Sequence, residues 1–311
     1  MNVKLQVAGC RLQVFRRNQV MRKTFNFQPS TFNRPPAFTL IELLAVITIL
    51  GIIAGLAVPA LKELGKSNGN IGASQQLLAD AGRARQLAMA NHTTVYMIFV
   101  KTNFWMAPNF PNFWWNNPLM TTSEKTVATN LCDKQLTGYT FVSLRSAGDQ
   151  PGRVTVRYLA PWQNLPAGTF IAPQKFQPPS SPPFSILGYD PNIPIYGFNI
   201  TNNIPFPTED SPKSPVLYLP YIAFNYLGQL TSDGQNLAAS DEYIPLAQGS
   251  VLPAINPATK ALILEAAPAG AASILETPPG NSGIGNNNLS YNIVHIDRLT
   301  GRATLEFYKM K

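Results

Sequence analysis

The sequence predicts an α+β fold: a long N-terminal helix, then an antiparallel β domain. Three features lead there. Residues 37–61, AFTLIELLAVITILGIIAGLAVPAL, form one apolar run with a single acid, Glu42. Residues 74–91 then carry Leu77, Leu78, Ala81, Ala84, Leu87 and Ala88 at three- and four-residue spacing, the mark of a helix with one apolar face. From Thr94 onward, short β-branched and aromatic runs are separated by glycine and proline turns.

The first helix is long enough to span a membrane. Leu43–Leu61 contains nineteen residues without a charge. As a helix it would measure about 28 Å, close to the roughly 30 Å of a bilayer core. A carboxylate at the centre of such a segment costs about 2.5–3.5 kcal/mol, so Glu42 needs compensation. Locally, Thr39-x-x-Glu42 has the spacing of a capping box, in which the glutamate serves the helix N-terminus. Gly51 and Gly55 have the G-x-x-x-G spacing that lets two helices approach, although glycine is also common in membrane helices. Pro59 comes near the end of the run. Gly65, Gly69 and Gly72 then fall within eight residues, and each weakens a helix by about 1 kcal/mol relative to alanine. The helix is expected to loosen or break there.

After the amphipathic segment, Thr94–Val100 reads as a buried strand, Leu217–Leu230 as a strand with a turn at Gly228, and Asn292–Tyr308 as a hairpin turning at Gly301. In that hairpin Ala303, Leu305 and Phe307 alternate with Arg302, Thr304 and Glu306. Residues 160–220 hold fourteen of the 28 prolines. Proline has no N–H for a ladder, so this stretch reads as an extended insertion draped over the sheet. Three of the four tryptophans, Trp105, Trp114 and Trp115, cluster earlier. They would either fill a core or offer a partner-binding surface, and core packing is favoured because so large a bare patch would be sticky.

Charge is distributed unevenly. Seven of the 24 bases and no acid lie in residues 1–37, which leaves 17 bases against the 16 acids. The net charge of +8 therefore describes the first segment. No basic excess remains beyond it, which argues against a nucleic-acid partner. A basic segment before an apolar helix places the N-terminus in the cytoplasm and the rest outside. Met21 would serve as an alternative start. Val7–Cys10 resembles a lipobox but comes after no apolar run. Beyond residue 37 the only cysteine is Cys132, so no internal disulfide is expected.

Chemistry is sparse. The sequence has no HExxH, CxxC, P-loop or GxSxG motif. His92 reads as a helix-end residue and His295 as a solvent-facing strand residue. The acid pairs Glu209-Asp210 and Asp241-Glu242 could attract calcium but are more simply solvated. No cofactor, no metal and no enzymatic activity are expected.

The order Ala37, Phe38-Thr39-Leu40-Ile41-Glu42, long apolar helix resembles the prepilin signal of the type IV pilin and type II secretion pseudopilin superfamily. The resemblance implies cleavage by a prepilin peptidase between Ala37 and Phe38, N-methylation of Phe38, and a role in assembly for Glu42, the fifth mature residue. Pro59 stands where that family also carries proline. Ala37 departs from the family's usual glycine before the cut. The passage AGRARQLAMANHTTVYMIF and the turns at Gly228 and Gly301 resemble the H-type minor pseudopilins, and the layout is comparable to that of the Verru_Chthon cassette proteins. The implied organisation is a basic leader (1–37), a membrane span that becomes filament core (38–64), an amphipathic outer half-helix (65–92) and an extracytoplasmic β-rich head (93–311). The implied partners are the peptidase, the inner membrane, its assembly platform and other subunits. Two alternatives stand beside this. One is a signal-anchored extracytoplasmic binding protein that uses the aromatic cluster. The other, a membrane-anchored enzyme, lacks a catalytic constellation.

Overall fold

The computed structural model describes residues 39–106, 121–146, 148–150, 155–185, 193–208, 216–264, 270–276 and 292–306, without the side chains of residues 56–69. It is a mixed helix and antiparallel-sheet protein, as an α+β reading requires. The chain divides into two compact units between Leu56 and Ala57.

Helix α1 runs Leu40–Ala90 as one element. The expected break at Gly65–Gly72 does not occur. Glycine lowers helix propensity but keeps its amide donor, so the i to i−4 ladder can continue through it. In the first unit every residue from Thr39 to Gly55 is exposed. Among the described residues no helix is long and apolar enough to cross a membrane.

In the second unit the outer part of α1 buries Ala73, Leu77, Ala81, Ala84 and Ala88, with Leu78 and Leu87 partly buried beside them. Four alanines in that stripe keep the helix surface low, so the sheets can approach closely. The turn after the helix passes through His92, whose φ of 48° is left-handed, and Thr93 N–H donates to Ala88 O at 3.2 Å.

Among the described residues fifteen strands come after it: β1 (Val95–Phe99), β2 (Gly138–Ser143), β3 (Arg157–Tyr158), β4 (Gln163–Asn164), β5 (Thr169–Ile171), β6 (Phe184–Ser185), β7 (Pro194–Ile195), β8 (Asn203–Pro205), β9 (Val216–Tyr218), β10 (Tyr221–Phe224), β11 (Leu230–Thr231), β12 (Glu242–Leu252), β13 (Ser273–Glu276), β14 (Asn292–Ile296) and β15 (Ala303–Glu306). One sheet has the order β11-β10-β1-β2-β3, with β4 also on β2. A second has the order β13-β12-β14-β15, with β5 also on β12.

Strand β1 is buried on both faces, which is why its sequence is continuously apolar rather than alternating. Val95, Met97 and Phe99 join the buried stripe of α1 in one core, to which the second sheet adds Ile244, Leu246, Val294 and Ile296. Tyr96 and Ile98 face a second core with Val142, Tyr221 and Ala223.

That second core is closed by the proline-rich segment. Ile204, Phe206, Leu217 and Leu219 cover the outer face of the first sheet, together with Ala128 and Leu131 of a short helix, α2 (Thr122–Leu131). The segment is not all loop. It forms the small hairpins β6–β7 and β8–β9 and lends β5 to the second sheet, in strands of only two or three residues. The strand expected from Leu217 onward is interrupted at Leu219-Pro220. Proline lacks the donor for a continuous ladder, so β9 pairs with β8 and β10 with β1. The hairpin β14–β15 forms as expected, with Ala303 and Leu305 packed on the core and Thr304 exposed.

Candidate functional site

The start of α1 is the part whose chemistry its own chain leaves unanswered. Leu40, Ile41, Leu43, Ile47, Leu50, Ile52 and Ile53 are each more than half exposed. At about 100° per residue they surround the helix, and a helix apolar all round belongs in a core or a membrane. A Cβ built at Gly51 or Gly55 would meet nothing within 4 Å, so this chain's own packing does not require glycine there. Glu42 is the one charge in this part. Its Oε2 accepts from Thr39 N–H and from Thr39 Oγ1, both at 3.2 Å, and Glu42 N–H donates to Thr39 Oγ1 at 3.3 Å. The capping box read from the sequence is therefore formed. Ala37 and Phe38 lie outside the described residues, as do Trp114, Trp115, Glu209, Asp210 and Phe307. Pro59 lies within α1, with its side chain undescribed.

Trp105, grouped with the tryptophans as a partner-binding candidate, is buried and sits edge-on to Phe104 at 5.3 Å. The fourth tryptophan, Trp162, donates through Nε1 to Pro207 O at 3.0 Å and helps fasten the proline-rich segment. Cys132 is buried, and its thiol is pushed up to about 12, first by burial and then by Asp133. Such a thiol is inert.

The second unit contains three polar arrangements that no motif announced. Arg85 on α1 donates through Nε to Gly228 O at 3.2 Å and to Thr300 O at 2.7 Å. It thereby joins the helix to the β10–β11 turn of one sheet and the β14–β15 turn of the other. Gly228 and Gly301 both have positive φ, and a Cβ on Gly301 would collide with Gly228 O. Only glycine lets these two turns meet. The sequence supplies an arginine and two glycine turns, but their convergence is a property of the fold.

Lys175, wholly buried in the proline-rich segment, forms an ion pair with Glu242 on β12. Its Nζ also donates to Tyr196 O at 2.6 Å and lies 4.8 Å from the centre of the Phe198 ring. Burial lowers the lysine and raises the glutamate from their ordinary values, and each opposes the shift of the other. His295 is half-buried rather than solvent-facing. Its Nδ1 lies 2.9 Å from Glu306 Oε1 and its Nε2 lies 3.0 Å from Asp241 Oδ2, while its ring stacks on Tyr243 at 4.6 Å. The Asp241-Glu242 pair is thus divided between a histidine and a lysine. The two carboxylates of His295 sit on opposite ring nitrogens, so the group spans strands and does not converge on one point. Among the described residues no group of three or more His, Cys, Asp or Glu could hold a metal.

Residues 35–58 match the family described as the prokaryotic N-terminal methylation motif. The match encloses the Ala37-Phe38 junction, Glu42, Gly51 and Gly55, and ends one residue before Pro59. It supports a type IV pilin-like signal at the start of this chain. No curated protein and no solved structure matches the chain.

Proposed function

We propose that this chain is a structural subunit, of the minor pilin or pseudopilin kind, in a type IV pilus-like or type II secretion-like filament. What carries the reading is a coincidence. The methylation motif covers Leu40–Gly55, a helical stretch whose apolar side chains are exposed on every side. In this account the peptidase cuts between Ala37 and Phe38, and Phe38 is methylated. The protein rests in the inner membrane as a single-pass subunit with its N-terminus in the cytoplasm and its head outside. Assembly then moves the helix from lipid into a bundle of identical or related helices. There Glu42 leaves its own cap and pairs with the ammonium of a neighbour's Phe38. Two charges about 4 Å apart gain several kcal/mol at intermediate dielectric, and one left alone in such a bundle is strongly destabilising.

The resemblance to H-type subunits rests on the helix-to-strand passage and two glycine turns, which meet at Arg85. Mass spectrometry of the mature N-terminus tests the proposal. Methylated Phe38 is the expected result, and an intact leader in cells with an active prepilin peptidase overturns it. A reporter fused after Lys311 should be active only outside the cytoplasm.

A further inference from the structure

A cleft of about 520 Å³ opens where α1 passes into β1, within the roughly 300–1,000 Å³ usual for ligand sites. Tyr96 lines it, although the residue is only 5% exposed. The ring is held edge-on to Tyr221 at 5.1 Å. The hydroxyl, by contrast, has no hydrogen bond among the described residues and is not sealed from solvent, so it opens on the cleft. Gly234 keeps that oxygen clear, because a Cβ there would lie 2.6 Å from Tyr96 Oη. Burial, then the neighbouring Tyr221 and the Asp233 charge, push this phenol far above its usual value, so it stays neutral with lone pairs to offer.

The cleft is acidic. Among the described residues that line it, Asp149 and Asp233 stand against one arginine, Arg145, and no lysine. Asp233 Oδ1 accepts from the amides of Asn236 at 2.7 Å and Gln235 at 2.9 Å, and its Oδ2 accepts from Asn236 Nδ2 at 2.7 Å. These neutral donors hold the carboxyl down at about 2, so it is an anion at any working pH. A carboxylate has about four acceptor sites, and the one left open here is on Oδ2. His92 and Thr93 also line the cleft, just beyond the end of α1, whose last turn carries no base. The negative end of the helix dipole therefore adds to the carboxylates. Tyr226, 56% exposed, supplies an aromatic face. Arg145 is shared with a smaller cleft of about 140 Å³ that also holds Arg157. Its guanidinium opposes a cation in the larger one.

We propose that the larger cleft binds a primary alkylammonium group, on a free polyamine or on a lysine side chain, with its N–H donors on Asp233 Oδ2 and Tyr96 Oη and its charge against the Tyr226 ring. An ammonium is a compact head with three donors, and a tyrosine face attracts it. A guanidinium suits the site less, because its fork needs two carboxylate oxygens and Asp233 has one acceptor site open. A divalent metal ion would need more oxygen ligands than converge here. The site lies wholly in the second unit and does not rest on the filament reading.

The test is isothermal titration of the full chain in neutral detergent and phosphate buffer. The probes are spermidine, a lysine-containing tripeptide and the same tripeptide acetylated at the lysine Nζ. Spermidine, the lysine tripeptide or both should bind, and the acetylated tripeptide should not. Binding of spermidine alone marks a free polyamine as the ligand, and binding of the tripeptide marks a lysine side chain. Asp233→Asn, which keeps Oδ1 as an acceptor for the turn, should weaken binding about tenfold or more, the share of a lost charged hydrogen bond. Tyr226→Ala and Tyr96→Phe should each weaken it several-fold. Arg145→Ala should tighten it about two- to fivefold, a gain that no loss of fold could produce. Asp133→Asn, at an exposed acid elsewhere, should change it little. No binding of either amine, equal binding of the acetylated tripeptide, or weaker binding by Arg145→Ala overturns the proposal. Equal losses in Asp233→Asn and Asp133→Asn would mark a diffuse surface charge and overturn it too.

Discussion

The chain contains two Thr-x-x-Glu boxes that make the same hydrogen bonds in opposite surroundings. At the start of α2, Glu124 Oε2 accepts from Thr121 N–H at 2.8 Å and from Thr121 Oγ1 at 2.9 Å, and Glu124 is buried. At the start of α1, Glu42 makes the equivalent bonds with Thr39 and is exposed. The helices behind the two boxes differ too. α2 buries Ala128 and Leu131 in the head. The first sixteen residues of α1 bury nothing, although nearly all are apolar. A capping motif therefore fixes where a helix begins but not what the helix is for. Function is indicated by the surface left unanswered beyond it.

That contrast can be probed by substitution, each variant read by urea or thermal unfolding of the full chain in detergent. The largest effect is expected in the head, at the buried pair. Lys175→Met leaves the Glu242 carboxylate buried without its partner and should cost about 3–5 kcal/mol. Replacing both, by Lys175→Met with Glu242→Leu, should recover most of that. The pair also sets a pH dependence. Burial holds Glu242 above its usual 4.5, so the native state keeps a proton that the unfolded state has lost, and stability falls as pH rises past that value. Burial holds Lys175 below its usual 10.5, so stability rises again as pH approaches that value. The double variant should lose both slopes.

Next in size is Leu77→Ala, at the fully buried centre of the α1 stripe, with an expected loss of about 2–5 kcal/mol. Ile47→Ala, an equally apolar site on the same helix, should leave head stability unchanged. Equal losses at the two positions would end the distinction between the two parts of α1. Arg85→Ala, which severs the joint between helix and both glycine turns, should cost about 2 kcal/mol, because two charged hydrogen bonds go at once. The smallest effect compares the boxes directly. Thr121→Ala should lower stability by about 1 kcal/mol, a fall of roughly 2–4 °C in melting temperature for a domain of this size. Thr39→Ala should not change it.

How much of this is legible in the sequence depends on the range of the forces involved. The stripe Leu77–Ala88, strand β1, the hairpin β14–β15 and the Thr39–Glu42 box all rest on periodicity or on contacts within a few residues, and they read correctly. Thr121–Glu124 carries the same local pattern with equally plain spacing, yet no long apolar run beyond it draws the eye to a helix start. Lys175–Glu242, Arg85 with its two turns, and His295 between Asp241 and Glu306 join residues eleven to more than two hundred positions apart. No local spacing encodes those pairings. The continuity of α1 through Gly65–Gly72 runs against propensity, because propensity does not weigh the intact backbone ladder. The motif at residues 35–58 is legible because it is a contiguous run of residues rather than a product of folding.

The central claim is that Glu42 exchanges a cap for a partner's charge when the filament forms. It is tested most directly by tracing Glu42→Gln and Glu42→Ala through processing and into sheared filaments. Both variants should insert and be cleaved after Ala37, since removing a charge makes the helix more apolar. Neither should be incorporated normally, because a neighbour's Phe38 ammonium would then be buried without a counter-charge. Normal incorporation of Glu42→Gln, with or without that of Glu42→Ala, would contradict the account.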